Sequence, residues 1–125
     1  MKTVFLMRHG DYDPLFDDFT ESGKKALDTT IKELAKEDIH FILYSPIRRA
    51  HLTAQVVNRH FDVEMRFDDR LRVDSTVEAL KAVLREVPDK TLVVTHEVLI
   101  GPYLGLKEEV FKKAQVKKMV LAEHA

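Results

Sequence analysis

The feature that most constrains this chain is an alternation. A strand-length apolar run gives way to a stretch of helical periodicity, and another run follows. The runs are Thr3–Met7, Phe41–Tyr44, Val63–Phe67 and Thr91–Thr95. Polar alternation is slight in the first and fourth, the pattern of strands covered on both faces. Between them, Leu27, Ile31 and Leu34 recur at helical spacing behind Thr20, which reads as an N-cap. Ile47, Ala50, Ala54, Val57 and Phe61 repeat the pattern, with Pro46 placed in the first turn. Ser75-Thr76-Val77-Glu78 reads as a capping box ahead of Val77, Leu80, Val83, Leu84 and Val87. Val98–Leu106 is apolar but broken by Gly101, Pro102 and Gly105, which leaves a helix start there unplaced. Val116–Leu121 reads as a last short strand near a sheet edge, because Lys117 and Lys118 sit in it. Strand and helix in succession predict an α/β domain: a mainly parallel sheet with helices on both faces.

With 125 residues and no repeat, low-complexity tract or Pro/Gly-rich linker, the chain reads as one domain, 1–125. A hydrophobic fraction of 45% beside a charged fraction of 33% describes a globular chain able to bury a core. The apolar runs are too short to span a membrane, and no apolar leader segment follows Lys2, so the cytoplasm is the expected location. The absence of cysteine excludes disulfides, zinc–thiolate sites and thiol catalysis. A net charge of −1 argues against a dedicated nucleic-acid binder, which carries a basic excess.

Sheets of this kind bind ligands beyond the carboxyl ends of their strands. The first run ends in "RHGD", the second in "YSPIRRA" and the fourth in "VVTHE". Arg8, Arg48 or Arg49, His9 and His96 are thereby expected at one rim although far apart in sequence. Two imidazoles among guanidiniums make an anion pocket, since arginine presents a planar donor fork to phosphate oxygens. Neighbouring cations favour the neutral imidazole, a nucleophile towards phosphorus. Gly10 is expected to let backbone N–H groups approach the anion. The residues therefore suggest phosphoryl transfer through a phosphohistidine, the arginines neutralising the phosphoryl charge, with no metal and no cofactor. Each residue also has an ordinary reading: a hydrogen-bonded structural histidine, a solvated helix arginine. A zinc site of His9, His96 and a carboxylate lacks the HxH or HExxH spacing that would support it.

The motifs also carry a family resemblance. "LMRHG" (Leu6–Gly10) resembles the signature of the histidine phosphatase superfamily, the phosphoglycerate mutase-like family. "TESG" (Thr20–Gly23) is similar to its "LTxxG" helix entry, with Phe19 for Leu. "SPIRRAHLTA" (Ser45–Ala54) resembles "SPLxRAxQTA", with Leu52 for Gln, and "VVTHEVLIG" (Val93–Gly101) resembles the second-histidine segment. The resemblance implies a three-layer α/β/α sandwich of the phosphoglycerate mutase-like type. It implies that His9 becomes phosphorylated, that Arg8 and Arg49 bind phosphoryl oxygens, and that His96 is the second pocket histidine. Arg48 falls on a variable position and reads as a solvated helix residue. His40, His51, His60 and His124 match no functional position and read as surface or packing residues.

Two departures narrow the expectation. Larger members carry a proton-donating glutamate where "DRLRVDST" places Val73, and a large insertion for which this chain has no room. Both resemble the short phosphohistidine phosphatase (SixA-like) group, whose members often read "RHGD", with Asp11 here a candidate proton donor. An alkoxide leaving group needs a proton; an imidazole leaving a P–N bond needs less help. Asp13, Asp74 and Glu97 read as exposed carboxylates balancing a cationic rim. The expected function is a phosphatase acting on a phosphorylated substrate, such as a phosphohistidine-bearing signalling protein. A phosphomonoester phosphatase, a mutase-like enzyme and a non-catalytic phosphate-binding module are the alternatives. Lys112, Lys113, Lys117 and Lys118 are expected on a solvated charged face, with docking of an acidic partner as the alternative.

Overall fold

The computed structural model describes residues 1–122; His124 and its neighbours 123 and 125 lie outside the described residues. Five strands form the central sheet: β1 (Lys2–Arg8), β4 (Phe41–Tyr44), β5 (Glu64–Phe67), β6 (Thr91–Thr95) and β7 (Val116–Leu121). Their order is β5-β4-β6-β1-β7. β1, β4, β5 and β6 run parallel, and β7 joins β1 antiparallel at the edge, where its lysines suit exposure. A separate two-stranded hairpin, β2 (Tyr12–Asp13) with β3 (Asp18–Phe19), leaves the end of β1. Its strands are too short to announce themselves by period.

Alternate residues of each central strand feed opposite cores, as the two-residue period of a strand requires. Phe5, Met7, Ile42, Tyr44, Leu92 and Val94 pack with Leu27 and Leu34 of α1 (Glu21–Leu34) and Ala54 and Val57 of α2 (Arg48–Phe61). Val4, Leu6, Leu43 and Val93 pack instead with Leu80 and Leu84 of α3 (Val77–Glu86) and Leu99 and Ile100 of α4 (Glu97–Leu104). The result is the expected three-layer α/β/α sandwich. Among the described residues, no helix is long and apolar enough to cross a membrane.

Helix boundaries follow local chemistry and move some expected ones. Thr20 caps α1, its hydroxyl accepting the Gly23 N–H at 3.0 Å. Pro46 lies ahead of α2 rather than in its first turn: Ile47 is the N-cap, and the Ser45 hydroxyl accepts the Ile47 N–H. The cap of α3 is Thr76, not Ser75; Thr76 accepts the Ala79 N–H at 3.1 Å, while Glu78 pairs with Lys81. The third apolar run starts one residue later than expected, at Glu64. Asn58 clamps both backbone groups of Val63 at 2.9 Å, so this residue closes the turn after α2 instead of opening the strand. α4 tolerates Pro102 and ends at Gly105, whose φ of 73° lets the last turn close onto the Gly101 and Pro102 carbonyls.

Candidate active site

The register of the sheet builds the site. Arg8 lies opposite Thr95 in the parallel β1–β6 pair, so the next residues along the two chains, His9 and His96, emerge side by side. Tyr44 lies opposite Val94, and the Ser45 N–H continues the ladder to the Val94 carbonyl at 3.0 Å, which brings the third strand end alongside. β1 and β6 are neighbours whose following helices pack on opposite faces, leaving a crevice between their carboxyl ends. His9 and His96 are buried there, ring centroids 5.3 Å apart and tilted 58°.

Hydrogen bonds determine what each imidazole offers. His9 Nδ1 is 2.8 Å from the Gly10 carbonyl. A carbonyl only accepts, so Nδ1 carries the proton and Nε2 is left with its lone pair. Arg49 Nε donates to that lone pair at 3.2 Å. Burial above all, then Arg49, Arg8 and Lys113, lowers the His9 pKa to about 4 against the opposing Gly10 bond. His96 Nε2 meets the Ser45 hydroxyl at 2.8 Å. Its pKa is likewise lowered to about 4, by burial first, then by His9, Arg49, Arg8 and Arg72. Both rings are therefore neutral at physiological pH.

Two buried polar atoms in this cluster, Arg8 Nε and His96 Nδ1, have no hydrogen-bond partner among the described residues. Buried donors are normally satisfied. Arg8 is otherwise anchored, Nη1 donating to the Phe111 carbonyl at 2.8 Å. The Ser45 contact fits either tautomer of His96; the one in which the hydroxyl donates to Nε2 places the His96 proton on Nδ1. Arg8 Nε–H and His96 Nδ1–H are then two donors suited to the oxygens of an anion.

The floor is tied down from several sides. The Thr53 hydroxyl accepts the Gly10 N–H at 2.9 Å and donates to the Arg49 carbonyl at 2.7 Å, coupling the His9 loop to α2. That bond occupies the Gly10 N–H, which therefore does not face the crevice as the sequence suggested. Glycine leaves room there for a different reason: a Cβ would press on the Phe19 ring at 3.0 Å and on the Leu27 side chain at 3.1 Å. The Thr95 hydroxyl donates to the Leu71 carbonyl at 2.7 Å, drawing Arg72 and Val73 towards the end of β6. Val73, at the position expected for an acid, is exposed in a turn, and Asp74 pairs with Arg72 at 3.5 Å.

Arg8, His9, Arg49 and His96 are thus brought together. Asp11 is beside them but engaged: it accepts from Lys113 Nζ at 2.8 Å and from the Thr20 hydroxyl at 2.9 Å. Those two bonds hold its carboxyl below the usual range. Arg48 lies outside, held bidentate by Asp17 at 2.9 and 2.8 Å. His51 stacks on Tyr44, His60 packs edge-on against Phe61 and His40 bonds Asp38, none at the crevice. The sequence reading missed Ser45, Thr53, Arg72 and Lys113. The first two lie inside "SPIRRAHLTA", where the motif itself was the signal. Lys113 had none: it stays exposed, as expected of the lysine face, and from there reaches Asp11. Lys118 keeps to that expectation, exposed while it pairs with Glu37 at 2.8 Å.

A sequence profile of the histidine phosphatase superfamily (branch 1) matches residues 4–74. The chain belongs to this superfamily. Membership makes it a phosphatase acting through a histidine. No curated protein sequence matches the chain. Among solved structures, the protein histidine phosphatase SixA complexed with tungstate superposes with a TM-score of 0.82 at 24% identity, covering 98% of this chain and 90% of SixA. Bacillus stearothermophilus YhfR follows the same fold, with a TM-score of 0.77, 17% identity and coverage of 98% and 92%. So does a mycobacterial glucosyl-3-phosphoglycerate phosphatase, with a TM-score of 0.73, 18% identity and coverage of 94% and 89%. At these identities the likeness is one of fold.

Proposed function

We propose that this histidine phosphatase removes the phosphoryl group from phosphohistidine on a protein, such as a phosphotransfer domain of a signalling pathway. His9 is the nucleophile. The observation that carries the reading is the state of its ring: Nδ1–H committed to the Gly10 carbonyl, Nε2 unprotonated and aimed into a cationic crevice.

In the first step the Arg49 Nε–H turns its hydrogen bond from His9 Nε2 to a phosphoryl oxygen, and the freed Nε2 lone pair attacks phosphorus in line. The substrate P–N bond breaks, its electron pair returning to the departing imidazole. Arg49, Arg8 Nε–H and His96 Nδ1–H donate to the three equatorial oxygens as charge spreads over them. In the second step water attacks the phosphorylated His9, the P–Nε2 bond breaks, and orthophosphate leaves with the water's oxygen. The guanidiniums supply the positive charge, so turnover is expected to survive chelators. The neutral state of both rings matters twice: His9 keeps its nucleophilic lone pair, and His96 donates without adding a charge.

The leaving group discriminates between substrates. Val73 offers no acid, and Asp11 is held ionised by Lys113 and Thr20, so it is read as a charge partner. A site without a dedicated acid suits imidazole, a far better leaving group than an alkoxide.

The test is to follow phosphate release from a phosphohistidine-bearing protein and from p-nitrophenyl phosphate, and to trap the phosphoenzyme on native protein and His9→Ala. The expected result is preferential hydrolysis of the phosphohistidine and label confined to His9. Faster turnover of the ester would assign a phosphomonoester substrate instead. Label that persists in His9→Ala would remove His9 from the mechanism. Binding without release from either substrate would make the chain a phosphate-binding module.

A further inference from the structure

Leu15 and Phe16 form the tip of the β2–β3 hairpin, with 87% and 79% of their surfaces in water. Two adjacent large apolar side chains in water are unfavourable, and a slack loop would fold them back. Here the backbone prevents it. The Asp13 carboxylate accepts the Leu15 N–H at 2.9 Å, and its carbonyl accepts the Phe16 N–H at 3.3 Å. Asp17 sits at a φ of 48°. Its carboxylate takes both Arg48 donors and the Tyr12 hydroxyl, the latter at 2.5 Å. The tip is displayed on a brace.

The location of the brace matters. The hairpin leaves directly from the His9–Asp11 loop, and Arg48, its clamp, adjoins Arg49 in α2. Val98, in the first turn after His96, and Val73, beside the Leu71 anchor, are also exposed at this end of the sheet. A cationic floor that fits a phosphoryl group is thereby bordered by apolar side chains. At strand spacing the four residues from Asp11 to Leu15 reach at most roughly 13 Å, a scale on which a macromolecule spans crevice and tip together and a small phosphomonoester does not.

Resting on the functional reading above, we infer that the Leu15–Phe16 tip is a docking knob for the phosphorylated protein. It seats in an apolar patch on the partner next to the phosphohistidine, while the phosphoryl group enters the crevice. Rigid display limits the entropy lost on binding, and one or two buried apolar anchors carry much of an interface's energy.

The experiment compares wild type with the double variant Leu15→Ser/Phe16→Ser on two substrates, a phosphohistidine-bearing protein and p-nitrophenyl phosphate. The substitutions lie in solvent, so unchanged ester turnover reports an intact fold and site. The docking role lowers kcat/KM on the protein about ten- to a hundredfold through loss of buried apolar contact, with the ester rate unaltered. Asp17→Ala, which releases the brace and keeps both side chains, lowers the protein rate by a smaller factor. An equal fall on both substrates, or no change on the protein, overturns the proposal while leaving the phosphohistidine reading in place. So does a wild-type dimer that the double variant converts to monomer with loss of ester turnover, which would seat the tip against a second copy. A wild-type enzyme that spares the phosphohistidine protein but cleaves the ester refutes both readings.

Discussion

The paired neutral histidines make folding stability depend on pH in a defined window. An unperturbed imidazole titrates near pH 6.5, whereas burial and the surrounding guanidiniums lower His9 and His96 to about 4. Between these values the unfolded chain binds protons that the native protein refuses. Stability therefore falls as pH drops from 6.5 towards 4, and is fully present above the window. At pH 5 each ring costs about 2 kcal/mol relative to pH 7, from the difference in protonation between the two states. That is a large part of the ~5–15 kcal/mol total of an ordinary domain. Urea unfolding of wild type and His96→Asn at pH 7 and pH 5 isolates one ring, because the same carboxylates titrate in both proteins. The variant is expected to lose about 2 kcal/mol less stability over that interval. NMR titration of the two imidazoles is expected to place both midpoints near 4, as the structure indicates. Equal pH slopes in the two proteins, or midpoints near 6.5, would refute the reasoning that burial among cations holds the rings neutral.

Three further outcomes follow from individual contacts. Arg49→Lys keeps the charge but loses the fork and the Nε donor to His9; kcat is expected to fall about a hundred- to a thousandfold with the fold intact. Gly23→Ala drives a Cβ to 2.7 Å from the Asp11 carbonyl oxygen; denaturant unfolding is expected to register a loss of about 1–3 kcal/mol. Asp11→Asn removes the charge that holds Lys113. As Asp11 is read as a charge partner, turnover of an alkyl phosphoester is expected to change by no larger a factor than that of p-nitrophenyl phosphate. A loss confined to the alkyl ester would assign Asp11 the role of general acid.

Most of the architecture was legible because burial writes itself into short periods. Thr3–Met7 and Thr91–Thr95 are apolar at nearly every position because helices cover both faces of β1 and β6, so their strand character needed no partner to be read. Edge placement of β7 was legible from Lys117 and Lys118. Errors gathered where one hydroxyl competes with its neighbour: Ser75 and Thr76 are both good caps, and only the geometry around Ala79 chose between them. The β2–β3 hairpin was not legible, since two-residue strands carry no period and their stability comes from Asp17, Arg48 and Tyr12 meeting across the chain.

The site divides along the same line. The fold class and the side chains near the strand ends could be read from the sequence: Arg8 closing β1 with His9 next, Arg49 in the helix that follows β4, and His96 just after β6. Local hydrophobic period marks where a strand stops, and the next residue is necessarily at the rim. Tertiary structure alone decided what those residues can do. The β1–β6 register set the imidazoles side by side, the Gly10 carbonyl chose the His9 tautomer, and burial set its charge. Tertiary structure also brought Lys113 across 102 residues to hold Asp11, a pairing no local pattern encodes. Protonation and hydrogen bonding depend on every neighbour in space, and only the folded chain specifies them.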